Sequence, residues 1–200
     1  TSALNAAPPK YVFLFIGDGM AANHRLMAGQ FLKDTGRGTL AMDQLTVKGL
    51  TTTLSADKLV MDSAAASTAL ACGIKTKNKM LGCDPDGNYV PSCATLAKEA
   101  GKKVGIITTV TTTHATPAGF YARGLPRGKN YRIAADLVNS GFDFFAGGGL
   151  GRKYNDKKSR AYKNYGNIYD YVREGKWVID DLVAMSNTIY ADNRDQKSVV

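Results

Sequence analysis

Apolar and polar positions along the chain fall into short blocks that alternate between two spacings. Residues 11–16, Tyr-Val-Phe-Leu-Phe-Ile, form an unbroken apolar run stopped by Gly17, Asp18 and Gly19. A run this short, without polar alternation, predicts a strand buried on both faces. Residues 21–33 carry Leu26, Met27, Gln30 and Phe31 at helical spacing and predict a helix. Residues 63–72 are rich in alanine and predict a second helix. Residues 92–99 predict a short third helix that Ala100 and Gly101 close. A strand is predicted over 104–109, a helix over 131–139 ended by Ser140 and Gly141, and a strand over 142–146 before three glycines at 147–149. Strands alternating with helices predict parallel βαβ units and a sheet covered by helices on both faces. Ligands of such sheets bind beyond the carboxyl ends of the strands. That rule directs attention to Asp18 and to the residues after Thr109.

Composition narrows the class. With 44% hydrophobic and 22% charged residues in 200, the chain is globular, with room for one large domain or two small ones. No stretch reaches the ~18 apolar residues of a membrane span. A formal net charge of +9 raises a nucleic-acid interface, but the lysines and arginines are scattered, with no interleaved aromatic platform. A solvated basic surface accounts for them, and its field would draw anionic substrates. Cys72 lies in the apolar stretch Ala-Leu-Ala-Cys-Gly, which predicts a buried thiol. Cys83 and Cys93 flank a polar loop of a length that would close a small disulfide, the state expected in an exported protein. No CxxC zinc pattern is present. The chain starts Thr-Ser-Ala-Leu-Asn, without an initiator Met or a signal region, as a processed, exported protein or a trimmed chain would.

Several residues could carry chemistry, each beside a plainer reading. Asp18, between two glycines after an apolar run, could present its carboxylate to an ion, or could simply sit in a turn. Asp62 and Ser63 stand at the start of the alanine-rich helix. A serine there meets unpaired backbone N–H groups and the positive end of the helix dipole, which suit an oxyanion; either residue could equally be an N-cap. His114 and Thr116 follow the strand that ends near Thr109, and alternation along an extended chain would aim both to one side. Both offer ligand atoms for a cation, while a lone histidine can also be structural. Arg127, in Gly-Leu-Pro-Arg-Gly, has a planar fork suited to two phosphate oxygens, or is a solvated loop residue. The other histidine, His24, falls in the first helix, so no Ser-His-Asp arrangement is legible.

The order of these segments is more specific than any of them. Phe-Ile-Gly-Asp18-Gly-Met comes first, then Asp62-Ser63-Ala-Ala with Ala-Cys-Gly73, then Thr-His114-Ala-Thr116-Pro-Ala-Gly, then Ala146 and three glycines. In this order, from about Tyr11 to Arg152, the chain resembles alkaline phosphatases. The resemblance implies a three-layer α/β/α fold with a mostly parallel central sheet. Residues 1–200 would form the N-terminal part of one such domain, with 1–9 an arm and 153–200 a peripheral or inserted region. It also implies a phosphate monoesterase that uses two zinc ions and one magnesium, exported to the periplasm or medium and homodimeric. Ser63 matches the nucleophile that becomes phosphoserine and is also a metal ligand. Asp18 matches the carboxylate between the second zinc and the magnesium, and Thr116 the hydroxyl on magnesium. His114 matches the position that orders a magnesium-bound water. Arg127 matches the phosphate-clamping arginine, with Asp62 orienting it and Arg123 a nearby competitor.

The pattern departs from the family after Arg152, where no later metal-ligand segment is recognisable. The donors present are too few for two zinc ions. The expectation is therefore an N-terminal part of a longer enzyme, inactive and poorly soluble if expressed by itself. Sulfatases resemble this fold, but their Cys/Ser-x-Pro-x-Arg motif is replaced here by Ser63-Ala-Ala-Ala-Ser. A phosphodiesterase, another metal-dependent hydrolase of the superfamily and a non-enzymatic anion-binding protein are the competing readings.

Overall fold

The structure, a computed structural model, describes residues 9–151, 157 and 160–174. It divides into two compact units, Thr1–Leu50 and Thr51–Val200.

In the first unit, residues 11–16 form no strand, and the expectation of one buried on both faces fails. Their side chains face solvent, Phe15 being 91% exposed. A buried strand needs a ladder partner for its backbone groups and apolar cover for its faces, and the described residues of this unit supply neither. Helix α1 (Ala22–Asp34) does form where helical spacing placed it. Its N-cap, Ala21, has no side-chain acceptor, so His24 Nδ1 reaches back to take the Ala21 N–H at 3.1 Å. A 3₁₀ turn, Ala41–Gln44, follows. Its Asp43 accepts a hydrogen bond from Arg25 Nε at 2.6 Å, tying the turn to the helix.

The second unit holds the alternating pattern. Helix α2 (Ser63–Cys72) is followed by β1 (Met80–Leu81), α3 (Cys93–Glu99), β2 (Gly105–Ile107), α4 (Ala115–Ala118) and β3 (Leu125–Pro126). Then come α5 (Asn130–Asn139), β4 (Phe144–Ala146), α6 (Arg160–Tyr165) and α7 (Ile168–Glu174). The predicted strands over 104–109 and 142–146 are β2 and β4, and they pair in parallel with Ile106 opposite Phe145. β1 and β3 form an antiparallel pair, with Met80 opposite Pro126. Much of the predicted region 153–200 lies outside the described residues.

Two apolar clusters join these elements. Ala64 of α2, Leu81, Ala115 and Ala118 of α4, Ile133 and Leu137 of α5, and Phe145 of β4 are buried together. Ala134 and Tyr131 on α5 face a second cluster with Ile168 and Val172 of α7. Each fully buried Leu, Ile, Val or Phe side chain among them contributes about 1.5–3 kcal/mol. Asp143 fastens the head of β4 to its neighbours: its carboxylate takes Lys98 Nζ at 2.8 Å, Lys103 Nζ at 2.9 Å and the Val104 N–H at 2.9 Å. These partners hold its pKa well below the usual carboxylate range.

The three cysteines are free thiols, so the expected Cys83–Cys93 disulfide is corrected. The loop between them closes without it. Asp84 Oδ1 accepts the N–H groups of Asp86 and Asn88, its Oδ2 accepts Asn88 Nδ2, and Cys83 pairs with Tyr89 in an antiparallel bridge. Cys72 is half-buried, its thiol donating to the Val90 carbonyl at 3.4 Å.

Candidate active site

Asp62 is the N-cap of α2. Its backbone is extended (φ −91°, ψ 170°), and Oδ1 accepts the Ala65 N–H at 3.0 Å. Ser63 is therefore the first helical residue, beside N–H groups that lack partners within the helix. The alanines after it let the helix sink into the core, with Ala64 and Ala65 fully buried, while Ser63 stays partly open.

Arg127 arrives from 65 residues further along the chain and donates from Nη1 to Asp62 Oδ2 at 3.0 Å. The β1–β3 pair brings it there. Beyond the paired residues, the Arg127 N–H donates to the Lys79 carbonyl at 2.7 Å. The ion pair is partly exposed, at 32% for the Arg127 side chain and 22% for Asp62. Burial works to raise the Asp62 pKa. The N–H groups of Ala65 and Lys79 and the Arg127 guanidinium outweigh it and keep the carboxyl below its ordinary value. Arg123 points elsewhere. Its N–H donates to Asp136 at 2.8 Å and its guanidinium lies over the Tyr89 ring.

His114 is extended (φ −66°, ψ 157°) but Thr116 is helical, so the alternation argument for the two is corrected. His114 is the N-cap of α4 and Thr116 its second residue, so the strand alternation that would aim both to one side ends at His114. The loop before them is pinned to the glycine segment after β4. Thr112 N–H donates to the Gly149 carbonyl at 2.9 Å, and Gly151 N–H donates to Thr113 Oγ1 at 3.1 Å. Helix α4 in turn lies hard against α2. Ser67 Oγ donates to the Ala115 carbonyl at 3.0 Å, and a Cβ on Gly119 would stand 2.2 Å from Ser67 Oγ. Only glycine lets the two helices approach this closely.

Asp62, Ser63, His114, Thr116 and Arg127 all belong to the second unit. Asp18 belongs to the first, in an exposed β-turn closed by the Met20 N–H on the Gly17 carbonyl, with Gly19 at φ +69°. That geometry is the turn reading of Gly-Asp-Gly. Among the described residues, no three His, Cys, Asp or Glu side chains gather in a way that could hold a metal ion. Two residues the sequence did not single out touch the site. Asn78 Oδ1 accepts the Asp62 N–H at 3.1 Å, and the Lys79 N–H donates to Asp62 Oδ1 at 3.0 Å.

The family profile described as alkaline phosphatase matches residues 9–196. The chain belongs to the alkaline phosphatase family. It is 34% identical over 206 residues to alkaline phosphatase 3 of Bacillus subtilis (strain 168), a match spanning 95% of this chain and 43% of that protein. It is 37% identical over 139 residues to the tissue-nonspecific isozyme of Mus musculus, spanning 62% of this chain and 26% of that protein. Among solved structures, the Thermus thermophilus alkaline phosphatase is similar at a TM-score of 0.66 and 33% identity, over 78% of this chain and 33% of that one. The enzyme of the Antarctic bacterium TAB5 is similar at a TM-score of 0.62 and 35% identity, over 76% of this chain and 42% of that one. A histidine-to-aspartate variant of the TAB5 enzyme has Mg bound in its M3 site. The fold is thus the three-layer α/β/α arrangement of this family, a parallel central sheet flanked by helices, over part of its extent. The chain spans less than half the length of the relatives it matches.

Proposed function

We propose that the protein hydrolyses phosphate monoesters to an alcohol and inorganic phosphate through a phosphoserine formed on Ser63. The observation that carries this reading is the Asp62–Arg127 ion pair beside the first turn of α2. Ser63 Oγ attacks phosphorus, the bond to the alkoxide breaks, and water later cleaves the Ser63–phosphate bond. Arg127, aimed by Asp62, takes phosphate oxygens in its fork, and the N–H end of α2 adds a fixed positive potential. Asp62 holds the guanidinium while ionised, leaving other N–H groups of the fork for the substrate.

A serine hydroxyl is a weak nucleophile without a base or metal. Oxygen donors suit magnesium: the Thr116 hydroxyl, with His114 two residues before it ordering water, would supply part of its shell, and the Asp18 carboxylate is a donor of the same class. Ser63 itself would be a zinc ligand. Two zinc ions need three or four protein donors each, more than these residues supply, so the remaining donors would come from outside them. When bound, the ions supply Lewis-acid charge that favours the serine alkoxide and the leaving oxygen. Export and a homodimer belong to the same proposal, as does a single domain to which these residues contribute the N-terminal part.

The whole protein, supplied with zinc and magnesium at alkaline pH, is offered p-nitrophenyl phosphate, the bis(p-nitrophenyl) diester and the sulfate ester. The monoester should turn over at least a hundredfold faster than the other two, about 2.7 kcal/mol in transition-state binding. Preference for the diester would make it a phosphodiesterase. Salt-sensitive anion binding without turnover of any ester would make it a binding protein.

A further inference from the structure

Lys79 is the only non-glycine residue with positive φ among those described, at +71°. The Met80 N–H donates to the Lys77 carbonyl at 3.2 Å, so Lys77–Met80 is a β-turn with Lys79 at its third position. Only Lys79 of the two central residues has positive φ, which makes the turn type II, a position that ordinarily takes glycine. Backbone held this way by a residue with a Cβ persists only where its surroundings over-determine it.

The surroundings here are the candidate active site. The Lys79 N–H donates to Asp62 Oδ1, and its carbonyl accepts the Arg127 N–H, so one residue grips both members of the ion pair. The Asn78 side chain completes the frame. Its Oδ1 accepts the Asp62 N–H, and its Nδ2 donates to the Val60 carbonyl at 3.0 Å, spanning the approach to α2. The Asn78 N–H donates to Asp57 Oδ1 at 2.8 Å, and Ser55 Oγ donates to the same oxygen at 3.1 Å. The turn is thus anchored on one side to the 55–57 bend and on the other to Asp62 and Arg127.

We infer that the Asn78–Lys79 turn is a positioning device that sets the Asp62–Arg127 pair for phosphate, acting through the Asn78 amide and the Lys79 peptide groups and not through the lysine ammonium. The inference rests on the phosphatase reading above. It explains why a strained lysine is tolerated: both of its peptide groups have partners that a relaxed turn would release.

The test uses the whole metal-loaded enzyme and two readouts, kcat/KM for p-nitrophenyl phosphate and the inhibition constant of inorganic phosphate. Asn78→Ala removes the acceptor for Asp62 and should lower kcat/KM about tenfold, weakening phosphate inhibition in parallel. Asn78→Asp keeps that acceptor but loses the Nδ2 donor to the Val60 carbonyl, and should recover part of both losses. Lys79→Gly removes the ammonium and keeps the peptide groups, and should impair both readouts less than Asn78→Ala does, with an unchanged or higher melting temperature. In an Arg127→Ala background, Asn78→Ala should cost less than twofold further, because the group it positions is gone. Losses that multiply in the double variant, or a Lys79→Gly enzyme that falls as far as Asn78→Ala, would overturn the positioning role while leaving the phosphatase reading intact. A wild-type enzyme that neither turns over the ester nor binds phosphate would overturn both.

Discussion

Single residues in this chain do their work through partners far away in sequence. Asp62 caps a helix with one oxygen and holds Arg127 with the other, so a common helix-start residue also orients a cation. The capping half of that arrangement is legible from Asp62-Ser63 before an alanine run. The pairing is not, because 65 residues separate the partners and no local spacing encodes it. The Lys79 turn was equally silent, since type II turns are recognised by a glycine that is absent here. The cysteines show a different limit. Loop length is compatible with a disulfide, yet Asp84 closes the loop by accepting three N–H groups. Burial first, and then the neighbouring thiols Cys93 and Cys83, push the Cys72 thiol up to about 11. Under denaturing, non-reducing conditions three thiols should therefore be counted in residues 1–200, where one would restore the disulfide. In the native protein, exposed Cys93 should alkylate first, and Cys72 should gain reactivity only as pH approaches 11. The same raised value carries a sign for stability. The contribution of Cys72 is fully present below about pH 9 and is lost as pH rises towards 11.

Among elements, those with a full period were readable. The predicted helices over 21–33, 63–72, 92–99 and 131–139 stand within a residue or so of α1, α2, α3 and α5, and two predicted strands became the parallel β2–β4 pair. β1 and β3 have two residues each, too few to show alternation, and exist because each completes the other. Helix α4 has four residues, and Pro117 sits inside its single turn, so an extended reading of 111–116 was natural from sequence. What holds α4 in place is its contact with α2, through the Ser67 hydroxyl and the bare Gly119. Gly119→Ala should destabilise the protein by about 1–3 kcal/mol, the range for overpacking a tight contact. A fall in the urea midpoint at constant slope would show it, and an unchanged midpoint would mean the helices can part freely.

At the scale of the molecule, alternation of periods identified a parallel α/β architecture, and family membership agrees with it. The apolar run at 11–16 does not form the expected strand because strand burial depends on what lies beside the run, which local pattern does not contain. Those residues and others in the described chain, including Leu50, Leu59, Val60 and Ile107, carry large exposed apolar surface. The candidate site sits where the architecture allows: α2 opens on Asp62 and Ser63, α4 on His114 and Thr116, and the strand pair delivers Arg127. On the proposed mechanism, Ser63 becomes phosphorylated during turnover. The whole enzyme is mixed with p-nitrophenyl phosphate, quenched in acid and digested, and peptides spanning residue 63 are weighed. One added phosphoryl group is expected on Ser63, absent from Ser63→Ala, together with loss of most turnover in that variant. Phosphate trapped on another residue, or trapped equally by Ser63→Ala, would contradict it.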